Sequence, residues 1–222
     1  MPSKPQPALS ALSAAPAPAM APKRRGRPAK SENDSLRGEL IKKSAFLFRT
    51  QGYDNTTVRD IAAAAGIHSG SWFYHFKTKQ DILAAVMEQG MTQSLADIEA
   101  IALHTLAPRD ALRRLVEVHL QTLLAPNHDF IPVLLYEWRS LDPLSRARII
   151  KLKDRYEAIW DGVLKALHAS GEWAMPTRFD RLLMFGALNW TAQWYKPGGA
   201  IALRDLADSA VTFILRSPPR PA

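Results

Sequence analysis

From about residue 34 to residue 216 the apolar residues recur at three- and four-residue steps almost without interruption, and no stretch keeps the alternation a half-buried strand requires. The pattern predicts an all-α chain, with helices at about 34–51, 57–65, 69–75, 79–103, 108–125, 128–139, 143–170, 178–196 and 202–216. The clearest begins at Pro143, where Ile149, Leu152, Tyr156, Ile159, Trp160, Val163 and Leu167 line one face. At 1.5 Å per residue it runs for about 40 Å, long enough to form one wall of a domain. No internal repeat accompanies the pattern. Seven of the sixteen prolines fall in residues 1–28 and three in residues 217–222, so both ends are expected to be flexible tails, the first reaching to residue 33.

Composition narrows the chemistry. The 222 residues hold 47% hydrophobic and 23% charged residues, an ordinary balance for a chain with a core, and no cysteine. Disulfides, thiol catalysis and Cys-ligated metals are therefore excluded, and a reducing compartment fits. The Ala-rich opening is broken by Pro16 and Pro18 and runs into a basic cluster, which argues against a secretory signal. No window reaches the ~18 apolar residues of a membrane span, so no membrane partner is expected. The net charge of +8 is uneven: residues 1–33 carry +5, residues 34–83 carry +2 and residues 84–222 carry +1. Polyanion binding is to be sought in the first 83 residues.

The most specific signal lies at residues 57–76, TVRDIAAAAGIHSGSWFYHF. Thr57 with Asp60 three residues on has the form of a capping box opening a short helix. Ile61, Ala62 and Ala65 supply its buried face, and Gly66 stands where a left-handed residue ends it. A second short helix follows at once. Two helices so joined either pack as a plain corner or form the helix-turn-helix that lays its second member in the major groove. Ser69, Gly70 and Ser71 are small enough for close approach to DNA, while His68, Tyr74, His75 and Lys79 can donate to phosphates or base edges.

These residues resemble the amino-terminal pattern of the tetracycline-repressor (TetR) family. The likeness spans about residues 40–83 through Ile41, Ala45, Phe48, Gly52-Tyr53, Thr57, Ile61-Ala62, Ala65-Gly66-Ile67, Gly70-Ser71, His75-Phe76, Lys79 and Ile82-Leu83. The resemblance implies a helix-turn-helix DNA-binding domain at 34–83 and a larger helical effector-binding and dimerisation domain at 84–216. It places Thr57, Arg59, His68, Ser69, Gly70, Ser71, Phe73, Tyr74, His75 and Lys79 at the double-stranded DNA. Phe73 stands where the family usually has Tyr, which removes a phenol, and His68 replaces the usual Ser or Thr cap.

Ahead of this domain, Arg25-Gly26-Arg27-Pro28 within a Lys/Arg cluster resembles an AT-hook, whose arginines lie along the narrow minor groove of A·T tracts. A generic basic arm that neutralises phosphates through Arg25 and Arg27 is the other reading.

Five of the six tryptophans follow residue 84, where charge is nearly balanced. By resemblance, helices 178–196 and 202–216 form a four-helix bundle with their symmetry mates, with Trp194, Leu206, Ala210 and Phe213 at the homodimer interface. The stretches ALNWTAQWYKPGG, from Ala187, and LLYEWRSL, from Leu134, resemble the branch of the family that answers to acyl-CoA thioesters of lipid, steroid or aromatic-acid catabolism. Such a pocket needs an apolar tunnel, for which Phe130, Tyr136, Trp160, Phe185, Asn189 and Trp190 are candidates, and cations at its mouth, for which Arg155, Arg181 or Lys196 would serve. Aromatic stripes at this spacing are usually plain core or dimer seam.

His104, His119, His128 and His168 show no metal-ligand spacing on one helix, and no Gly-rich phosphate loop or Ser–His–acid arrangement stands out. Neither a catalytic residue, a metal site nor a cofactor is expected. The sequence thus predicts a cytoplasmic, nucleoid-associated, bacterial-type regulator: a homodimeric repressor on a pseudo-palindromic operator, released by a hydrophobic small molecule. An architectural A/T-preferring DNA-binding protein without an effector is the alternative. An acyl-CoA-processing enzyme is a third class.

Overall fold

Three helices begin on one local device. Thr57, Thr78 and Thr177 each accept a hydrogen bond from the N–H of the aspartate three residues on, and Asp60, Asp81 and Asp180 return the bond to the threonine N–H. Each box satisfies two otherwise orphaned donors and sets a negative charge on the positive end of the helix dipole. Two further helices start on proline at the first position, Pro108 and Pro143, and Asp142 caps the second by accepting from Leu144 and Ser145.

The computed structural model describes residues 30–125 and 129–216. It contains α1 (Lys30–Gln51), α2 (Val58–Ala64), a 3₁₀ segment (Ser69–Tyr74), α3 (Lys79–Glu99), α4 (Pro108–Leu124), α5 (Phe130–Tyr136), α6 (Pro143–Ala169), α7 (Arg178–Trp194) and α8 (Leu203–Leu215). Short 3₁₀ turns follow α3 at Leu103–Thr105 and α5 at Trp138–Ser140. No strand occurs among the described residues, so the all-α expectation holds. Arg25, Arg27, His128 and residues 217–222 lie outside the described residues. α1 starts at Lys30, inside the stretch expected to belong to the tail, because no proline interrupts residues 29–51.

Leu40, Ile41, Ala45 and Phe48 of α1 are buried with Ile61, Trp72 and Phe76, giving the first three elements and the start of α3 a common core. Trp72 is fully buried and its ring lies 5.5 Å from that of Phe76. Gly66 closes α2 at φ +68°, where an L side chain would be strained, and Ile67 N–H reaches back to the Ala62 carbonyl at 2.9 Å.

α3 then continues without a break past residue 84, burying Ile82 to Met87 near its start and Met91, Leu95 and Ile98 further on. The expected domain boundary thus falls within one rigid helix, which packs on α1 at one end and on α4, α5 and α6 along its length. α4 runs through the middle of the larger part, in contact with α3, α5, α6, α7 and α8.

The 69–75 helix is a 3₁₀ segment rather than an α-helix. Gly and Ser at its first three positions have poor helix propensity, and the His68 side chain makes no capping hydrogen bond. The 79–103 and 128–139 helices are shorter than expected, each followed by a separate 3₁₀ turn. The second break falls at Glu137, whose carboxylate accepts the Tyr53 N–H from the other part of the molecule.

Candidate nucleic-acid interface and effector cavity

Burial of Trp72 decides what the 3₁₀ segment presents. With that indole anchored in the core, Ser69, Gly70, Phe73 and Tyr74 are exposed, Tyr74 to 87%, and Ser71 and His75 are half-buried. α2 packs against this segment and exposes Thr57 and Arg59 in its first turn, beside His68 at the entry to the segment. The Thr57 hydroxyl is occupied within its capping box. Burial and then the nearby Arg37 guanidinium push the His75 pKa down, favouring a neutral ring.

Lys79 has a structural task that its spacing did not reveal. Its ammonium donates to the carbonyls of Tyr53 at 2.8 Å and Thr56 at 3.0 Å, and lies 4.1 Å from the centre of the Tyr53 ring. It fastens the turn before α2 to the first residue of α3, leaving one of its three donors for other use.

A cavity of about 270 Å³ opens between α3, α4, α5, α6 and α7. Of the tunnel candidates, Phe185 and Asn189 line it. Trp160 is fully buried behind the wall, its ring 5.1 Å from Phe185 and 5.7 Å from His119. Phe130 is half-buried, packed where its Cβ meets Gly90, and does not line the cavity. Tyr136 points to solvent, with its hydroxyl taken by Gln193.

Trp190 is a correction of the same kind. One residue beyond Asn189 it is turned by about 100° on the helix. Its ring is exposed on the outer face of α7 with Phe179, Leu183 and Trp194. On α8, Phe213 is exposed while Leu206 and Ala210 are half-buried against the core. Leu183, Ala187, Ala210 and Phe213 border an open groove of about 710 Å³ between α7 and α8.

The residues that sequence reasoning passed over are polar. His119, only 9% exposed, lines the cavity with Nδ1 2.9 Å from the Tyr156 hydroxyl and Nε2 3.1 Å from Asn189 Oδ1. Burial pushes the imidazole pKa down to about 4, so the ring is neutral, and pushes the Tyr156 phenol up. The signal was available: Tyr156 lies on the apolar stripe of α6, and a hydroxyl buried there requires a partner.

The proposed mouth cations are largely committed. Arg155 pairs with Glu99 at 2.8 Å, and Arg181 pairs with Asp161 and, at 2.8 Å, with Glu157. Lys196 is exposed beyond the end of α7. Lys153 and Glu157, paired at 2.5 Å, line the cavity instead.

α5 joins the two regions. Ile131, Leu134 and Leu135 line the cavity, and at the end of the same helix Glu137 Oε1 accepts from Tyr53 N–H at 3.0 Å. Gln80, in the first turn of α3, donates to the Ser140 carbonyl and accepts from Asp142 N–H at 3.3 Å. Arg49 of α1 pairs with the buried Asp129 at 2.6 Å.

Among the described residues, no group of three or more His, Asp or Glu side chains could hold a metal, and no helix is long and apolar enough to cross a membrane.

A short helix closed by a left-handed glycine, followed by an exposed segment pinned through one tryptophan, defines a helix-turn-helix DNA-binding protein. Comparison with known proteins is more specific: the model described as bacterial regulatory proteins of the tetR family matches residues 40–86, and the tetracyclin repressor-like C-terminal domain matches residues 105–217. The chain belongs to the TetR family of transcriptional regulators, DNA-binding proteins rather than enzymes. The HTH-type transcriptional repressor KstR2 of Rhodococcus jostii is 30% identical over 190 residues, covering 83% of this chain and 92% of that protein. Among solved structures, superantigen PfiT is 38% identical at a TM-score of 0.70, covering 83% of this chain and 98% of that one. AibR, solved with isovaleryl coenzyme A and operator DNA, shares the fold at 22% identity and a TM-score of 0.72, covering 83% of this chain and 99% of that one.

Proposed function

We propose that this regulator is a homodimeric repressor acting in the bacterial cytoplasm, whose two 3₁₀ segments read the half-sites of an inverted-repeat operator. A hydrophobic small molecule, an acyl-CoA thioester in this reading, enters the α3–α7 cavity and releases it. Ser69, Gly70, Ser71, Phe73, Tyr74 and His75 face the groove, with Thr57, Arg59 and His68 beside them and the basic arm at Arg25 and Arg27 adding contacts. The exposed apolar faces of α7 and α8 supply a two-fold interface through Trp190, Trp194, Leu183 and Phe213, with Leu206 and Ala210 beneath. KstR2 is named a repressor, and AibR, of the same fold, is solved with an acyl-CoA and with operator DNA, which supports the two ligand classes of this reading, while release is what the experiment below tests.

The observation that carries it is the α5 connection: one short helix forms a cavity wall and ends on the hydrogen bond that holds the turn before α2. A ligand that displaces α5 strains the Glu137–Tyr53 and Gln80–Ser140–Asp142 links together. A hundredfold loss of operator affinity needs about 2.7 kcal/mol of coupling. Two or three such bonds at about 1 kcal/mol each supply an amount of that size.

Fluorescence anisotropy on a selected duplex tests this. A CoA thioester that stabilises the protein against heat should weaken DNA binding at least tenfold, and Glu137→Ala should reduce that ratio toward one while ligand binding persists. Thioesters that bind without changing operator affinity would refute the coupling.

A further inference from the structure

The cavity holds more polar chemistry than a plain hydrocarbon tunnel. Asn189 Oδ1 offers only lone pairs, so the facing His119 Nε2 carries the ring proton. His119 Nδ1 is then an acceptor, and the Tyr156 hydroxyl donates to it. This spends the Tyr156 proton and leaves the Asn189 amide with two N–H donors. If the amide turns over and the ring proton moves to Nδ1, the roles reverse and the Tyr156 O–H becomes free. In either arrangement the chain Asn189–His119–Tyr156 keeps at least one unspent donor, and all three residues line the cavity. Burial holds the imidazole uncharged.

Charge is balanced at the same wall. Lys153 and Arg181 are both paired with Glu157, and Arg181 also with Asp161, so two cations are met by two carboxylates. Glu157 itself lines the cavity. An incoming anion would meet this carboxylate, and among the described lining residues the cation Lys153 is already paired with it, so the anion's charge would go unmatched, which is strongly disfavoured on burial. Ser94 and Thr122 also line the cavity, their hydroxyls donating to the Gly90 and Val118 carbonyls, and Met91, Leu123, Ile131, Leu134, Leu182 and Phe185 make the other walls apolar. At ~30 Å³ for each water-sized group, a cavity of about 270 Å³ takes roughly nine heavy atoms.

We propose that the cavity selects an uncharged carbonyl group on a buried portion of up to about nine heavy atoms, received by the spare donor of the Asn189–His119–Tyr156 chain, and rejects the matching free carboxylate. The inference rests on the reading of this cavity as the effector site and specifies the ligand class. The carboxylate's carbon chain would fit; its charge is what the site refuses. A charged carrier such as a nucleotide stays outside.

Three probes of one chain length decide the matter by isothermal titration calorimetry on the full chain: the hexanoyl thioester of N-acetylcysteamine, the S-hexyl thioether of N-acetylcysteamine, and hexanoate. The thioester should bind about tenfold more tightly than the thioether, which shares its acetamide but lacks the carbonyl beside sulfur, the worth of one hydrogen bond, and at least thirtyfold more tightly than hexanoate. Asn189→Leu together with Tyr156→Phe should bring thioester and thioether within about threefold of each other. If that variant does not fold, the three wild-type affinities suffice. Equal affinity for thioester and thioether, or tighter binding of hexanoate, overturns the carbonyl inference and leaves the effector site standing. No binding of any probe overturns the effector reading itself, and this inference with it.

Discussion

His119 makes the stability of the ligand-free protein depend on pH in a calculable way. The ring is buried, its folded pKa lies near 4 against 6.5 for the free side chain, and the leading cause is loss of water, only partly offset by the Asn189 hydrogen bond. As pH falls below 6.5 the unfolded chain takes up a proton that the folded chain refuses until about pH 4. Protons bound to the unfolded state alone favour unfolding, so this contribution to stability is present at neutral pH and lost on acidification. With these two values the loss between pH 7 and pH 5 is about 2 kcal/mol, or about 4–8 °C in Tm for a chain of this size.

Three hydrogen-bonded carboxylates act outside that window. Asp60 and Asp142 are held below the ordinary range by hydrogen bonds in their caps, and Asp208 by its bond to Arg113, so their contributions fade only under more acid conditions. His75 shifts in the same direction as His119 and cancels in a comparison of two variants. The assay is urea unfolding at pH 7 and pH 5, at one protein concentration, for the wild type and His119→Gln, which keeps a donor and an acceptor but does not titrate. The wild type should lose about 2 kcal/mol more than the variant. Equal losses would show that His119 is hydrated or charged in the folded state, and the neutral cavity wall would have to be abandoned.

Other perturbations have equally definite outcomes. Lys79→Met removes two bonds to carbonyls and should cost about 1–3 kcal/mol in urea unfolding, whereas a lysine serving only as a phosphate contact would leave stability unchanged. Gly90→Ala would set a methyl 2.8 Å from the Phe130 Cβ, and the overpacked α3–α5 contact should lower stability by about 1–3 kcal/mol; an unaltered midpoint would mean that α5 yields freely. Leu183→Glu combined with Phe213→Glu places charge on the exposed α7–α8 face, and sedimentation velocity should report a folded monomer that binds duplex far more weakly than the wild type. A dimer surviving that double change would place the interface elsewhere.

Much of the fold was written in local chemistry. The Thr57–Asp60 box, the left-handed Gly66 and the long stripe of α6 are properties of a few neighbouring residues, and each appears in the structure. The site was legible only in part, because its residues answer to partners far along the chain. Trp190 and Asn189 are neighbours in sequence, yet helical rotation sends one outward and the other to the cavity. His119 looked like a scattered histidine until α6 and α7 supplied Tyr156 and Asn189. Lys79 matched a DNA-contact position, but its ammonium reaches back to the turn at residues 53–56. Nothing local could reveal Glu137, whose partner Tyr53 lies 84 residues away.

The account stands on paired 3₁₀ segments reading duplex DNA, and sequencing the duplexes that the full-length protein retains from a random pool tests this directly. It predicts an enriched inverted repeat whose half-sites are about one helical turn apart or more, and loss of that enrichment for Ser71→Glu. Retention of A/T-rich duplexes without a repeat, unchanged in the variant, would contradict it.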